Sequence, residues 1–165
     1  MWRTGRHHPQ GRVERLICAL GLDLGEKRIG VAGCDRLGLT ASGLTTIHRR
    51  GFAHDMEQLK QIIRDREIDQ LIIGLPYTME GKIGFQAKRV QRLAKRISEA
   101  VELPVEFVDE RLTSHEAKQL IQQHRRKGNR DLGVVDRMAA ALILQYWLDQ
   151  KRQESSSRAK MSFDL

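Results

Sequence analysis

Three carboxylates in this chain of 165 residues are notable for where they fall. Asp23 sits inside the apolar run ALGLDLG, Glu110 closes VEFVDE, and Asp136 stands near the head of VVDRMAAALILQYW. An ionised carboxylate among buried residues needs something to compensate its charge. Three acids with no evident basic partner suggest a hard divalent cation, because oxygen-only ligands suit Mg²⁺ or Mn²⁺. Two such ions clamp the attacking and leaving oxygens of a phosphodiester. The expected chemistry is metal-dependent phosphodiester hydrolysis with Asp23, Glu110 and Asp136 as metal ligands and catalytic acids.

Each acid also has a plainer reading. Strand alternation puts Asp23 on one face with Ala19, Gly21 and Gly25, while Leu20, Leu22 and Leu24 point the other way. That small-residue face leaves room for a ligand, and the alternative is a salt bridge from Asp23 to Lys27 or Arg28. Asp109 and Glu110 point to opposite faces; parity does not say which of them meets Asp23, and either could cap the helix near Thr113. Asp136 falls in the first turn of the expected last helix, where the dipole favours an acid. Ala139, Ala140, Ile143 and Trp147 follow it at helical spacing, however, so it shares the apolar stripe.

The elements that must position these acids alternate in type. Short apolar runs predict strands over 16–24, 28–34 and 38–47, the first two joined by Gly25-Glu26-Lys27 as a hairpin. Phe52, Met56, Leu59 and Ile63 recur at helical spacing and predict a helix over 52–66. DQLIIG (69–74) reads as a strand covered on both faces. The loop GLPYTMEGKIG leads to a helix over 84–101, marked by Val90, Leu93, Ala94, Ile97 and Val101. A strand over 105–110 follows, then a helix from a Thr113/Glu116 capping box to about 123. The basic loop HRRKGNRDLG precedes a last helix over 133–149. The fold class is α/β: a five-stranded mixed sheet, three antiparallel strands and then two parallel ones, flanked by helices. That is the ribonuclease H-like arrangement. One domain is expected over 16–150, with mobile tails over 1–15 and 151–165.

Composition bounds the function classes. Apolar residues at 40% and charged residues at 30% fit a globular protein. No apolar run approaches the roughly 20 residues needed to cross a bilayer. The basic N-terminus lacks the apolar stretch of a secretory signal, so no membrane association is expected and the cytoplasm is the default location. Cys18 and Cys34 have no metal-ligand spacing and read as small reduced core residues. The net charge of +8 favours a polyanionic partner, although the two ends carry most of the excess.

Four stretches, GLDLGEKRIGVAGCD, IIGLPYTMEGKIGFQA, VDERLTSHEA and VVDRMAAALILQYWLD, resemble the successive motifs of the YqgF family, also called RuvX-like, over about residues 16–150. The family's names are pre-16S rRNA nuclease and Holliday junction resolvase. The resemblance implies a ribonuclease H-like fold and a metal-dependent nuclease in the cytoplasm, processing the 5′ end of pre-16S rRNA, with activity on branched DNA attributed to relatives. It also implies acidic positions at Asp23, Glu110 and Asp136, which decides for Glu110 over Asp109. The chain departs from the family's pattern at Cys34, where Ser is common, and at Tyr77, Thr78 and Glu80, where Leu, Asn and Asp are usual.

Several basic residues could hold nucleic acid. Backbone N–H groups of the loop after 74, with Lys82, could hold a phosphate. The helix over 84–101 carries Lys88, Arg89, Arg92, Lys95 and Arg96 off its apolar stripe, the alternative being a solvated face. Arg111 follows Glu110, and His124, Arg125, Arg126 and Lys127 cluster before Asp136 as a strand clamp. Aromatics make up only 5%, so backbone and shape are expected to be read more than bases. The expected partner is nucleic acid, either precursor rRNA or branched DNA, bound by a monomer or homodimer. Two other readings compete. GLDLG also resembles the first phosphate motif of actin-like ATPases, which need a second such domain. A non-catalytic RNA-binding module in ribosome assembly is the other.

Overall fold

The computed structural model describes residues 16–127 and 131–163, so the expected tail over 1–15 and part of the expected basic loop lie outside the described residues. β1 (Ala19–Leu24), β2 (Arg28–Cys34) and β3 (Ala41–His48) form an antiparallel meander. β4 (Gln70–Leu75) and β5 (Val105–Asp109) add in parallel on the far side of β1. The order across the sheet is β3-β2-β1-β4-β5, which is the expected ribonuclease H-like sheet. Between the strands run α1 (Phe52–Arg66) and α2 (Phe85–Val101); α3 (His115–Arg126) and α4 (Leu132–Phe163) follow β5.

The alternation in β1 divides the core. Leu20 and Leu22, with Ile29, Val31, Leu71, Ile73 and Leu75 of the neighbouring strands, bury against Met56 and Leu59 of α1 and Val90, Ala94 and Ile97 of α2. Ala19, Ala32 and Ile72 face the other way, against Ala140, Ile143, Leu144 and Trp147 of α4. The sheet is covered on both sides, and the continuous run LIIGL of β4 follows from that.

The small residues on the Asp23 face do not leave an open ligand space. They admit a helix. A Cβ on Gly21 would lie 2.9 Å from the Ala140 carbonyl oxygen and 2.7 Å from Leu144 Cβ. A Cβ on Gly30 would lie 2.0 Å from the Asp136 carbonyl oxygen, so only glycine lets α4 descend this far onto β2. Backbone-to-backbone contact of this kind fixes the depth of a helix more tightly than side-chain packing.

Four boundaries differ from expectation. β5 ends at Asp109, and Glu110 opens a single 3₁₀ turn, Glu110–Leu112, because the Asp109 carboxylate accepts from the Arg111 N–H and bends the chain out of the pleat. The cap of α3 is Ser114, whose hydroxyl accepts from the Ala117 N–H, while buried Thr113 donates to the Glu110 carbonyl. His124, Arg125 and Arg126 form the last turn of α3 and not a loop. α4 starts at Leu132 and continues to Phe163, past the expected end at 149, since Ser155 to Ser157 lack the backbone restriction needed to stop a helix already running. Asp131 then serves as its N-terminal acid, accepting from the Val134 N–H, and Asp136 falls beyond the first turn. The dipole reading of Asp136 loses its basis. Cys18 and Cys34 are free and only half-buried, at the edge of the core and not within it.

Candidate active site

Register brings the first two acids together. Asp23 pairs with Gly30 on β2, one residue before the end of β1. On the other side, the parallel rung Leu22–Ile73 places Gly74 next to Asp23 at the following level. A Cβ on Gly74 would lie 2.7 Å from Glu110 Oε1, so the Glu110 side chain folds back over β4 onto the space glycine leaves. The turn out of the pleat at Asp109 is what aims it there. Asp109 itself is held by Arg111, through Nε at 3.1 Å and Nη2 at 2.6 Å, and takes the capping role.

Asp136 comes from above. Its carbonyl lies over Gly30, the residue paired with Asp23, so the acid stands on the same sheet face. Its carboxylate has a basic partner, contrary to expectation: Arg28 Nε donates to Asp136 Oδ2 at 2.6 Å. Arg28 stands at the start of β2, two residues from Gly30 and on the same face. The same arginine had been a candidate partner for Asp23.

The electrostatics separate this site from an ordinary buried ion pair. Burial pushes the Asp23 carboxyl up to about 6, the Asp136 charge adds to this, and Arg125 opposes it. Burial pushes Glu110 up to about 7, with Asp23 raising it further and Lys118 opposing. Two neighbouring acids are thus desolvated and mutually repelling, with cations only at a distance. Asp55 makes the contrast: more deeply buried, it accepts from the Arg50 N–H and faces Arg49 and His54, so its charge is matched locally.

The donor set tests whether a divalent ion belongs here. Carboxylates from three elements stand on one partly buried, negative side of the sheet, a donor set that fits Mg²⁺ or Mn²⁺ in charge and ligand type. Among the described residues, however, no three acidic, histidine or cysteine side chains stand close enough together to hold an ion as they are. The Arg28 ion pair holds the Asp136 carboxylate beside the start of β2.

Beside Asp23 and Glu110 opens a cleft of about 580 Å³. Its walls are Leu24, Gly25 and Glu26 of the β1–β2 corner, Arg49, Pro76, and Gln86, Arg89, Val90, Arg92, Leu93 and Arg96 of α2. Of the basic residues singled out from the sequence, Arg89, Arg92 and Arg96 line this cleft. Lys88 is exposed on α2 but outside the lining. Arg125 is close enough to Asp23 to act on its charge, while Arg126 and Lys127 are exposed at the end of α3. Arg111, besides holding Asp109, lies over the Tyr77 ring at 5.3 Å and beneath Gly81, so it pins the loop over 76–84.

Lys82 is exposed, with Nζ 3.9 Å from Glu80. The expected backbone phosphate cradle is partly closed. The N–H groups of Tyr77, Thr78, Gly81 and Lys82 donate to Leu75, Lys82 and Thr78 within the loop, which leaves them no free direction. Arg49 and Lys118 were missed at this site, and Arg28 was placed on Asp23 and not on Asp136. Alternation could have placed Arg28 on the Asp23 face, but the α4 residue above it follows only from packing.

Comparison with known proteins agrees with this fold. The family described as "RuvX: Holliday junction resolvase" matches residues 17–150. A protein of Acaryochloris marina named "Putative pre-16S rRNA nuclease" is 58% identical over 141 residues, covering 86% of this chain and 98% of the relative. One of the same name from Trichormus variabilis is 48% identical over 151 residues, covering 92% of this chain and all of the relative. Among solved structures, the yeast mitochondrial Holliday junction resolvase aligns with a TM-score of 0.55 over 93% of this chain and 86% of its own, at 10% identity. RuvC of T. thermophilus, in complex with a Holliday junction, aligns with a TM-score of 0.50 over 83% of this chain and 96% of its own, also at 10% identity. At that identity the likeness is one of fold.

Proposed function

This chain belongs to the RuvX family, and from that membership we propose that it is a metal-dependent nuclease that hydrolyses phosphodiester bonds at the 5′ end of pre-16S rRNA in the cytoplasm. The observation that carries the reading is the placement of Asp23 beside Gly74 of β4, over which the Glu110 side chain folds, with their charges unmatched and Asp136 on the same sheet face. Burying two repelling carboxylates is unfavourable for folding, so such a pair points to a ligand that repays it. Bound divalent ions, held by Asp23, Glu110 and Asp136, would polarise the phosphodiester and lower the pKa of the attacking water.

The chain's own residues have separable parts. Asp23 and Glu110 supply fixed oxygen donors from rigid strand ends. Gly30 sets the height of Asp136 over them, and Arg28 holds its carboxylate until a stronger cation competes. Lys118 and Arg125 lower the local negative potential, which eases the approach of a phosphate. Arg126, Lys127, Lys88 and Lys82 add positive charge at the rim.

Branched DNA is the second reading, favoured by the description of the family itself. Purified protein is incubated with precursor rRNA and with a four-way junction, with Mn²⁺ or Mg²⁺, beside the Asp23→Asn variant. Cleavage of the rRNA that needs the metal and disappears in the variant is expected. Cleavage of the junction alone would move the substrate to DNA. RNA binding without cleavage of either would leave a non-catalytic assembly module.

A further inference from the structure

We propose that the cleft between α2 and the β1–β2 corner seats the phosphodiester backbone of one single nucleic-acid strand, with Glu26 holding the position a phosphate takes when the strand is absent. This rests on the nuclease reading of the adjoining acids and goes beyond it, since it names the strand's path and excludes a duplex from it.

Arg89, Arg92 and Arg96 recur at i, i+3 and i+7 of α2 and form one wall, with Arg49 across from them. The guanidiniums are prepositioned. Arg49 Nη1 donates to the carbonyls of Gly25 and Glu26 at 2.9 and 3.2 Å, and Arg96 lies 4.0 Å from the Phe52 ring centroid. Planar guanidinium groups held in this way suit the oxygens of phosphates. Between them, Leu24, Pro76, Val90 and Leu93 offer an apolar surface for sugars. Among the described residues no aromatic side chain lines the cleft, so bases are not read by stacking there and the sequence of the strand matters little. A volume of about 580 Å³ is that of a small-ligand pocket, enough for a short stretch of one strand. Asp23 and Glu110 lie at its end, where the strand would reach the metals.

The Glu26 carboxylate is hydrogen-bonded to Arg89 Nη1. It is an exposed acid on a corner loop, in an otherwise basic channel. A carboxylate on a guanidinium is the nearest side-chain counterpart of a phosphate, so an entering strand displaces it.

The test is binding and not turnover. Full-length Asp23→Asn protein in EDTA is titrated into a labelled 12-nucleotide single-stranded RNA and into the same RNA annealed to its complement, with fluorescence anisotropy at several salt concentrations. The single strand is expected to bind more tightly than the duplex. Arg92→Ala with Arg96→Ala should weaken single-strand binding about tenfold, the scale of charge-assisted hydrogen bonds. The slope of log K against log salt should flatten by roughly 1.4, for two phosphates released. Arg92→Ala alone, at an exposed position, gives about half of that change in slope and guards against a folding defect. Lys95→Ala, on α2 but outside the cleft, should move affinity less than about twofold; Glu26→Gln should tighten it several-fold at low salt. Equal binding of duplex and single strand, or an arginine variant that binds like its parent, overturns the proposal. Wild-type cleavage of the same RNA in Mn²⁺ is scored separately. Cleavage without arginine dependence sinks the path and spares the nuclease, whereas arginine-dependent binding without cleavage does the reverse.

Discussion

Arg28 Nε donates to Asp136 Oδ2 at 2.6 Å, tying the candidate acid of α4 to the first residue of β2. The side chains are 26% and 14% exposed, so the pair is only partly screened by water. Arg28 therefore acts as an internal cation in the site, occupying the carboxylate that a metal would need.

Removing it has opposite effects on stability and on metal affinity. Arg28→Ala leaves Asp136 unpaired beside Asp23 and is expected to destabilise the metal-free protein by about 1–2 kcal/mol, the range for a partly buried pair. The same change frees an oxygen ligand and removes a competing positive charge, so Mn²⁺ should bind several-fold more tightly. Urea melts in EDTA and calorimetric Mn²⁺ titration read the two effects. Metal affinity that falls with stability would mean that Arg28 positions Asp136 and does not compete for it.

Two glycines separate backbone contact from side-chain contact. Gly30→Ala sets a Cβ 2.0 Å from the Asp136 carbonyl, and neither strand nor helix backbone yields cheaply; a loss of about 3 kcal/mol or more is expected in urea denaturation. Gly74→Ala meets the ends of flexible groups, Glu110 Oε1 at 2.7 Å and Ile143 Cδ1 at 2.5 Å. Both can rotate, so stability should drop less than in Gly30→Ala, while displacement of the Glu110 carboxylate should reduce cleavage by tenfold or more.

The raised carboxyls make the metal-free fold prefer acid. Asp23 at about 6 and Glu110 at about 7 lie above their unfolded values near 4, so the native state binds more protons between those limits. Their contribution favours folding at low pH and is lost as pH rises from about 4 through 7. Asp23→Asn removes one of the repelling charges and should stabilise the EDTA-treated protein at pH 8 by on the order of 3 kcal/mol, with little effect at pH 4. Thermal melts at the two pH values check this. A stabilisation equal at both would place its origin elsewhere than in charge.

Arg111 holds the loop over 76–84 rather than a free phosphate site. Arg111→Lys keeps the charge but loses the forked bonds to Asp109 and the stacking on Tyr77. Limited proteolysis should then cut within residues 76–84 faster than in the parent, without a change in global melting temperature.

Much of the fold was legible because it rests on period and order. Alternation in β1 told its leucine face from its glycine face, and the run of strands and helices implied three antiparallel strands followed by two parallel ones. Spacing along α4 placed Asp136 on the buried stripe. What misled was local. The small residues sharing a face with Asp23 read as open space, while the structure fills the space at Gly21 with helix α4. Capping patterns were off by one residue at Thr113 and Ser114, since both hydroxyls can accept and only the turn before them selects one. The glycine loop after β4 suggested a phosphate cradle, but the N–H groups of Tyr77, Thr78, Gly81 and Lys82 are consumed by its own turns.

Residue order by itself determined that three acids end up near the ends of different elements of an α/β fold, because side-chain period and element type are short-range properties. Which cations stand beside those acids was decided only by tertiary structure. Arg28 and Asp136 are 108 residues apart, and Arg49 faces α2 across a cleft that no segment contains alone. Charge acts through space over several ångströms, so the partner of a carboxylate depends on how closely a helix settles on a sheet. Here that depth is set by a missing Cβ at Gly30.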